Sequence, residues 1–299
     1  SASVDGGTGN DTLTLYAASN TVTIANIETL TGATGADVLT LGSALTTSDT
    51  IDLGAGADRL TLANATNTGS VTNIETLVGG TGADTITLGA VVSNASIDLG
   101  AGTDALVLAT GTNTISVANT ETITGTSGPN SVTFTAAASN VSIDLGSATD
   151  KLTLAAGTNV ISVSNVETIK GGTGADTVTM GSNLSTSVVV DLAGGNDGLV
   201  LATGTNTGTV SNVETITGAS GDDTITLGSG ATNASVDLGS GNDTLTLAAT
   251  TNSLSVSNVE TLTGATGADT VTLRVALTTG MTIDLAAGND KLTLAAVAN

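Results

Sequence analysis

Aliphatic and small polar residues alternate along this chain in short bursts, and the bursts recur with a fixed period. In Thr224-Ile225-Thr226-Leu227 the aliphatics fall on one side and the threonines on the other. That is the two-residue period of a half-buried β-strand. Thr85/Thr87, Thr177/Thr179, Thr244/Thr246 and Thr270/Thr272 repeat the motif. Gly/Asp clusters and Thr/Asn/Ser/Ala stretches separate the bursts. The expected fold class is all-β.

A longer period contains these strands. Glu28, Glu75, Glu121, Glu167, Glu214 and Glu260 are spaced 47, 46, 46, 47 and 46 residues apart. Each repeat has two halves. The first reads N-[IV]-E-T-[LI]-x-G-x-x-G-x-D-x-[LIV]-T-L, as in Asn212 to Leu227, and the second S-[IV]-D-L-G-x-G-x-D-x-L-x-L, as in Ser235 to Leu247. Hairpins would need tight turns every eight to twelve residues. A fixed long period instead predicts a parallel β-solenoid, one continuous body over residues 1–299. The preferred coil is one half-repeat, about 23 residues, with the Asp turns of both halves on one edge and the loops on the other. A larger coil of one whole repeat, with two turn edges, remains open.

Composition narrows the chemistry. One Pro, no Cys, no His, no Trp and 1% aromatics leave a core of small aliphatics, which suits a stack of thin coils. Disulfides and thiol chemistry are excluded, and no apolar run reaches the ~18–20 residues of a membrane span. Net charge is −22, from 27 acidic and 5 basic residues. Arg59, Lys151, Lys170, Arg274 and Lys291 are scattered, so no basic patch invites nucleic acid. Catalysis is not expected: His is absent, Tyr16 is the only phenol, and nearly every ionisable group belongs to a repeat column.

All acidic residues but Asp49 and Asp222 fall in three periodic columns. One ends each glycine turn: Asp11, Asp37, Asp58, Asp84, Asp104, Asp150, Asp176, Asp197, Asp223, Asp243, Asp269 and Asp290. A second stands six residues earlier in each second half: Asp5, Asp52, Asp98, Asp144, Asp191, Asp237 and Asp284. The third is the Glu. Stacked carboxylates repel, and a divalent cation between coils turns repulsion into a bridge. An all-oxygen donor set suits calcium, whereas zinc would favour His and Cys. Both Asp columns are candidate calcium ligands. The alternative is that they cap turns by accepting backbone N–H groups, and the Glu column is open between ligand and cap.

The turns also carry a resemblance. Gly79-Gly80-Thr81-Gly82-Ala83-Asp84-Thr85-Ile86-Thr87 reads G-G-x-G-x-D-x-U-x, with U aliphatic, and recurs as Gly6–Thr14 and Gly171–Thr179. This resembles the RTX, or hemolysin-type, calcium-binding nonapeptide repeat of secreted bacterial proteins. The resemblance implies stacked calcium ions, an extracellular or cell-surface location, and export by a C-terminal signal outside this segment. It implies an architectural role in a surface fibre, matrix or S-layer, or the repeat stalk of an adhesin. The threonine array is similar to the ice-binding face of some antifreeze proteins, although Arg59, Lys151, Lys291, Ala105/Val107 and Gly198/Val200 break it; the alternatives are β-propensity on a solvated face, surface glycans, or packing against a neighbouring rod.

Two further expectations concern particular stretches. The third repeat reads Gly125-Thr126-Ser127-Gly128-Pro129-Asn130, with Asn in place of Asp, and predicts a weakened or missing metal site. Neither end carries a cap, and Asn233-Ala234-Ser235-Val236-Asp237 matches Asn299 followed by Ser1-Ala2-Ser3-Val4-Asp5. Head-to-tail self-association is therefore expected, against the alternative of an arbitrary segment boundary.

Overall fold

The computed structural model describes residues 2–296 and contains only β-strands, turns and bends. The chain divides into two compact units, Ser1–Leu152 and Thr153–Asn299. In the first, successive strands alternate between two parallel sheets. Ala2–Asp5 pairs with Thr21–Ala25, which pairs with Val38–Leu41, and the sheet continues through Arg59–Thr61, Thr76–Gly80, Ser93–Gly100 and Asn113–Ala118 to Asn130–Phe134. The other sheet runs from Thr12–Thr14 to Ser139–Asp144 in the same way. One strand from each sheet makes one coil of a parallel β-solenoid. The second unit repeats this plan, with Val160–Ser164 to Lys291–Thr293 in one sheet and Thr168–Lys170 to Thr282–Asp284 in the other.

The register corrects the expected coil. Val38 lies opposite Arg59, Arg59 opposite Thr76, and Thr76 opposite Ser96, so coils take steps of 21, 17 and 20 residues, all shorter than 23. The reason lies in stretches such as Asn113–Ala118 and Ser253–Ser257, taken above for loops. They are strands. Ile115, Val117, Leu254 and Val256 point inward and are buried, while small polar residues between them face outward. Each sequence repeat therefore holds five strands, or two and a half coils. Equivalent residues of successive repeats land in opposite sheets: Glu75 precedes Thr76–Gly80 in one, and Glu121 precedes Thr122–Thr124 in the other. The acidic turns consequently line both edges, not one.

Aliphatic columns fill the space between the sheets. Leu39, Leu60, Leu77, Ile97, Val117 and Phe134 stack in register, all buried. Leu30, Ile51, Val71 and Leu88 do the same in the opposite sheet. Phe134, the only Phe, occupies an ordinary core position. Backbone stacking at the turns is close enough to require glycine. Gly100 has φ of 88°, and a Cβ there would collide with the Gly80 carbonyl, a conformation and an approach that L side chains resist. Ser1 and Asn299, on which the junction reading turns, lie outside the described residues.

Candidate metal-binding ladders

Each edge carries a column of residues that immediately precede the strands. Within each unit it cycles as Asn, Asp, Asp, Glu, then an uncharged or irregular step. In the first unit, one edge runs Asn20, Asp37, Asp58, Glu75, and the other Asn67, Asp84, Asp104, Glu121. The second unit has Asn206, Asp223, Asp243, Glu260 on one edge and Asp176, Asp197, Glu214 on the other. Every rung has one form. The backbone N–H of one member donates to the side-chain oxygen of the next: Asn67 N to Asp84 Oδ1 at 2.9 Å, Asp84 N to Asp104 Oδ1 at 2.7 Å, Asp104 N to Glu121 Oε2 at 2.7 Å.

These bonds account for Oδ1 and leave Oδ2. Asp84, Asp223, Asp243 and Asp269 are 0% exposed. The buried Oδ2 atoms of Asp11, Asp37, Asp58, Asp84, Asp104, Asp197, Asp223, Asp243 and Asp269 have no hydrogen-bond partner. Asp176 differs, its Oδ2 accepting the Gly172 N–H at 3.2 Å. A buried unsatisfied carboxylate oxygen costs several kcal/mol, and here it recurs at nearly every rung.

Asn130 shows what surrounds that oxygen. It takes the ladder position at 3% exposure. Its N–H donates to Asp150 Oδ1 at 2.6 Å, and its Oδ1 accepts from Asn113 Nδ2 at 2.9 Å. Its Nδ2 sits where an Asp would place Oδ2, and donates to the carbonyls of Gly128 at 2.9 Å and Leu145 at 3.3 Å. An Asp in this position turns an acceptor toward acceptors. Carboxylate and carbonyl oxygens facing one another fit a hard cation such as calcium. Among the described residues no three carboxylates converge on one point, so backbone oxygens have to complete any such site.

The Asp5-type column is placed differently. Asp52 Oδ1 accepts the Gly54 N–H at 2.9 Å and the Asn73 Nδ2 at 2.7 Å from the next coil. Asp5, Asp98, Asp191 and Asp237 make the same pair of bonds, and Asp144 and Asp284 make the local one. These residues cap glycine turns through Oδ1. The Glu column also resolves: Glu28, Glu75, Glu121, Glu214 and Glu260 each cap the N–H of the preceding Asp.

Two asparagine columns carry as much of the site as the acids. Asn67, Asn113, Asn159, Asn206 and Asn252 are 0% exposed. Asn67 Oδ1 accepts the Leu45 N–H, and its Nδ2 reaches Ala63 O, Ala65 O and Asp84 Oδ1. Asn26, Asn73, Asn119, Asn165, Asn212 and Asn258 have φ near +50°, the left-handed region that Asn tolerates. Both columns follow the same period as the Glu, a signal present in the sequence.

Electrostatics singles out the second Asp of each set. Burial, then the like charges on both neighbouring coils, push the Asp58, Asp104 and Asp197 carboxyls up, while the bonded N–H partly offsets this. Burial first, then Asp223, Glu260 and Asp222, push Asp243 up to about 6. Without metal, such groups retain protons in the folded chain that the unfolded chain releases. Stability contributed this way is complete below the unfolded value of 3.8 and is lost as pH rises through about 6. For Asp243 alone the difference corresponds to about 3 kcal/mol. Chelator-treated protein is therefore expected to melt higher at pH 4.5 than at pH 7.5, and a higher melting point at pH 7.5 would refute the assignment.

The sequence profile of the RTX calcium-binding nonapeptide repeat, in four copies, matches residues 3–23, 25–60, 43–68, 72–90, 164–179 and 211–231. Those ranges contain all three complete nonapeptides. The protein is a parallel β-solenoid with stretches that match the RTX-type nonapeptide repeat. Among solved structures, it is similar to a hyperactive, Ca2+-dependent, β-helical antifreeze protein from an Antarctic bacterium. Identity is 20%, covering 94% of this chain and 86% of that one, with a TM-score of 0.25. That score supports no inference about this chain's activity. No curated protein matches the sequence.

Proposed function

We propose that this is an extracellular structural protein whose ladders bind calcium, and whose fold is completed by that binding. The observation that carries the reading is the buried, unpartnered Oδ2 recurring along both edges, set against Asn130, where an amide fills the same position with donors. The Asp84-type residues are the principal ligands, and the Asp5-type residues, whose Oδ1 atoms are engaged, contribute at most Oδ2. When bound, calcium supplies positive charge between oxygens that otherwise repel. The chain's own part is to bury those oxygens, hold them in register through the N–H rungs, and exclude competing donors. No catalytic role is included.

In calcium-poor surroundings the carboxylates resist stacking, and millimolar calcium outside the cell favours the coiled state by mass action. A fibre, matrix or S-layer role through head-to-tail or lateral assembly fits a rigid acidic solenoid, with an adhesin stalk as the runner-up. Calcium titration of chelator-stripped protein, followed by circular dichroism and light scattering, tests both levels. We expect calcium to raise the β signal and the melting point, and particle mass to grow. A rise in β signal without a change in mass favours the stalk. A stripped chain already fully folded and indifferent to calcium overturns the ligand assignment.

One observation favours a second reading. Thr207, Thr224, Thr244, Thr261 and Thr282 stand in register on one outer face, beside Thr209, Thr226, Thr246 and Thr263. Strand geometry spaces these hydroxyl and methyl groups by roughly 4.8 Å across strands and about 6.7 Å along them. A lattice of this kind can order water, and ice binding would appear as thermal hysteresis that is lost on replacing Thr226 and Thr246 by Lys.

A further inference from the structure

Asp222 lies outside the acidic columns. Other turns place Ala, Asn or Thr just before the ladder Asp, as in Ala57-Asp58, Asn196-Asp197 and Thr103-Asp104. Asp222 Oδ1 accepts the Asn242 N–H from the next coil at 2.8 Å. Beside it, the Asp223 N–H donates to Asp243 Oδ1 at 2.8 Å. The two bonds run in opposite directions between the same two coils and clasp them together. The clasp holds an added carboxylate next to two fully buried ones, Asp223 and Asp243, whose Oδ2 atoms have no partner. Glu260 closes the set on the following coil.

We propose that Asp222 makes the Asp223–Asp243 rung the tightest calcium site of the ladders, the one that fills first as calcium rises. The inference rests on the calcium reading above and adds to it an order of filling. Its basis is geometric. The Asn242 N–H fixes the extra negative charge alongside the rung, while the unpartnered oxygens of Asp223 and Asp243 supply the ligands. Asp222 acts on the ion through charge and position and is a positioning residue. The outer clasp also preorders the two coils, so less ordering remains to accompany binding.

The test uses the full chain, stripped with chelator and titrated with calcium by calorimetry and by hydrogen exchange of peptides covering residues 218–247. Asp222→Asn keeps an acceptor for Asn242 and removes the charge. We expect it to weaken the tightest class of sites about 5–10-fold, leave the total number of ions unchanged, and delay protection of those peptides to higher calcium. Asp49→Asn serves as the control: Asp49 binds Thr46 within its own turn, and its replacement is expected to leave the titration unaltered. If Asp222→Asn titrates like the parent while calcium still binds, the proposal fails and the calcium reading stands. If peptides elsewhere are protected before residues 218–247 in the parent chain, the order of filling is wrong. If the parent binds no calcium, both fail together.

Discussion

Asn130→Asp is expected to destabilise the calcium-free protein by about 3 kcal/mol or more and to be rescued by calcium. The Asn130 amide donates to Gly128 O and Leu145 O. An Asp there loses both bonds and turns a buried oxygen toward two carbonyls, one coil from Asp150, whose Oδ1 accepts the Asn130 N–H. Calcium relieves that repulsion, and the variant should bind one ion more than the parent. The reverse substitution carries the opposite sign. In Asp84→Asn the amide can donate as Asn130 does, and the Asn67 and Asp104 bonds can be kept. Removing that ligand should therefore stabilise the chelator-treated protein while lowering the ion count. Urea midpoints of both variants in chelator and in calcium decide the matter. If Asn130→Asp costs the same in both conditions, the ladder acids are turn caps and the calcium assignment is wrong.

The fold class was legible because alternation such as Thr224-Ile225-Thr226-Leu227 and a fixed period leave little else. The coil was not. Asn113–Ala118 and Ser253–Ser257 look like loops because their outward residues are small and polar, yet Ile115, Val117, Leu254 and Val256 supply the alternate inward positions. Missing that strand hid the half-coil offset, and with it the second ladder. The buried carboxylate column of the candidate site was legible in Asp84 and its equivalents, since it recurs at a fixed place in each glycine turn. What separates Asp58 from Asp52 was not. Both flank the same turn, and only the three-dimensional register shows that one accepts the Asp37 N–H of the preceding coil from a buried position while the other bonds the turn itself and Asn73. The third repeat's departure from the pattern was legible in Asn130. Its physical content, an amide that fills its surroundings with donors, needed the carbonyls of Gly128 and Leu145 in place.

The motif alone gives Asn67 no role, yet it carries the second large effect. Asn67→Ala should cost about 4 kcal/mol, and calcium should not restore it. At 0% exposure, truncation leaves the Leu45 N–H without its acceptor and removes the amide donor from the Ala65 carbonyl and from the Ala63 carbonyl, which keeps only the Ala65 N–H. It also removes the Nδ2 that bonds Asp84 Oδ1, although the Asn67 N–H still holds that oxygen. A buried Asn with every polar atom engaged is a protein-to-protein staple: its bonds run to backbone on its own and the preceding coil and to the Asp84 carboxylate on the following one. Calcium acts on the other oxygen of Asp84, so it cannot replace a missing acceptor at Leu45. Urea midpoints measured with and without calcium should fall by similar amounts for Asn67→Ala, in contrast to Asn130→Asp. Full rescue of Asn67→Ala by calcium would mean that the Asn column belongs to the ion site, and that the division of labour between amide staples and acidic rungs is drawn in the wrong place.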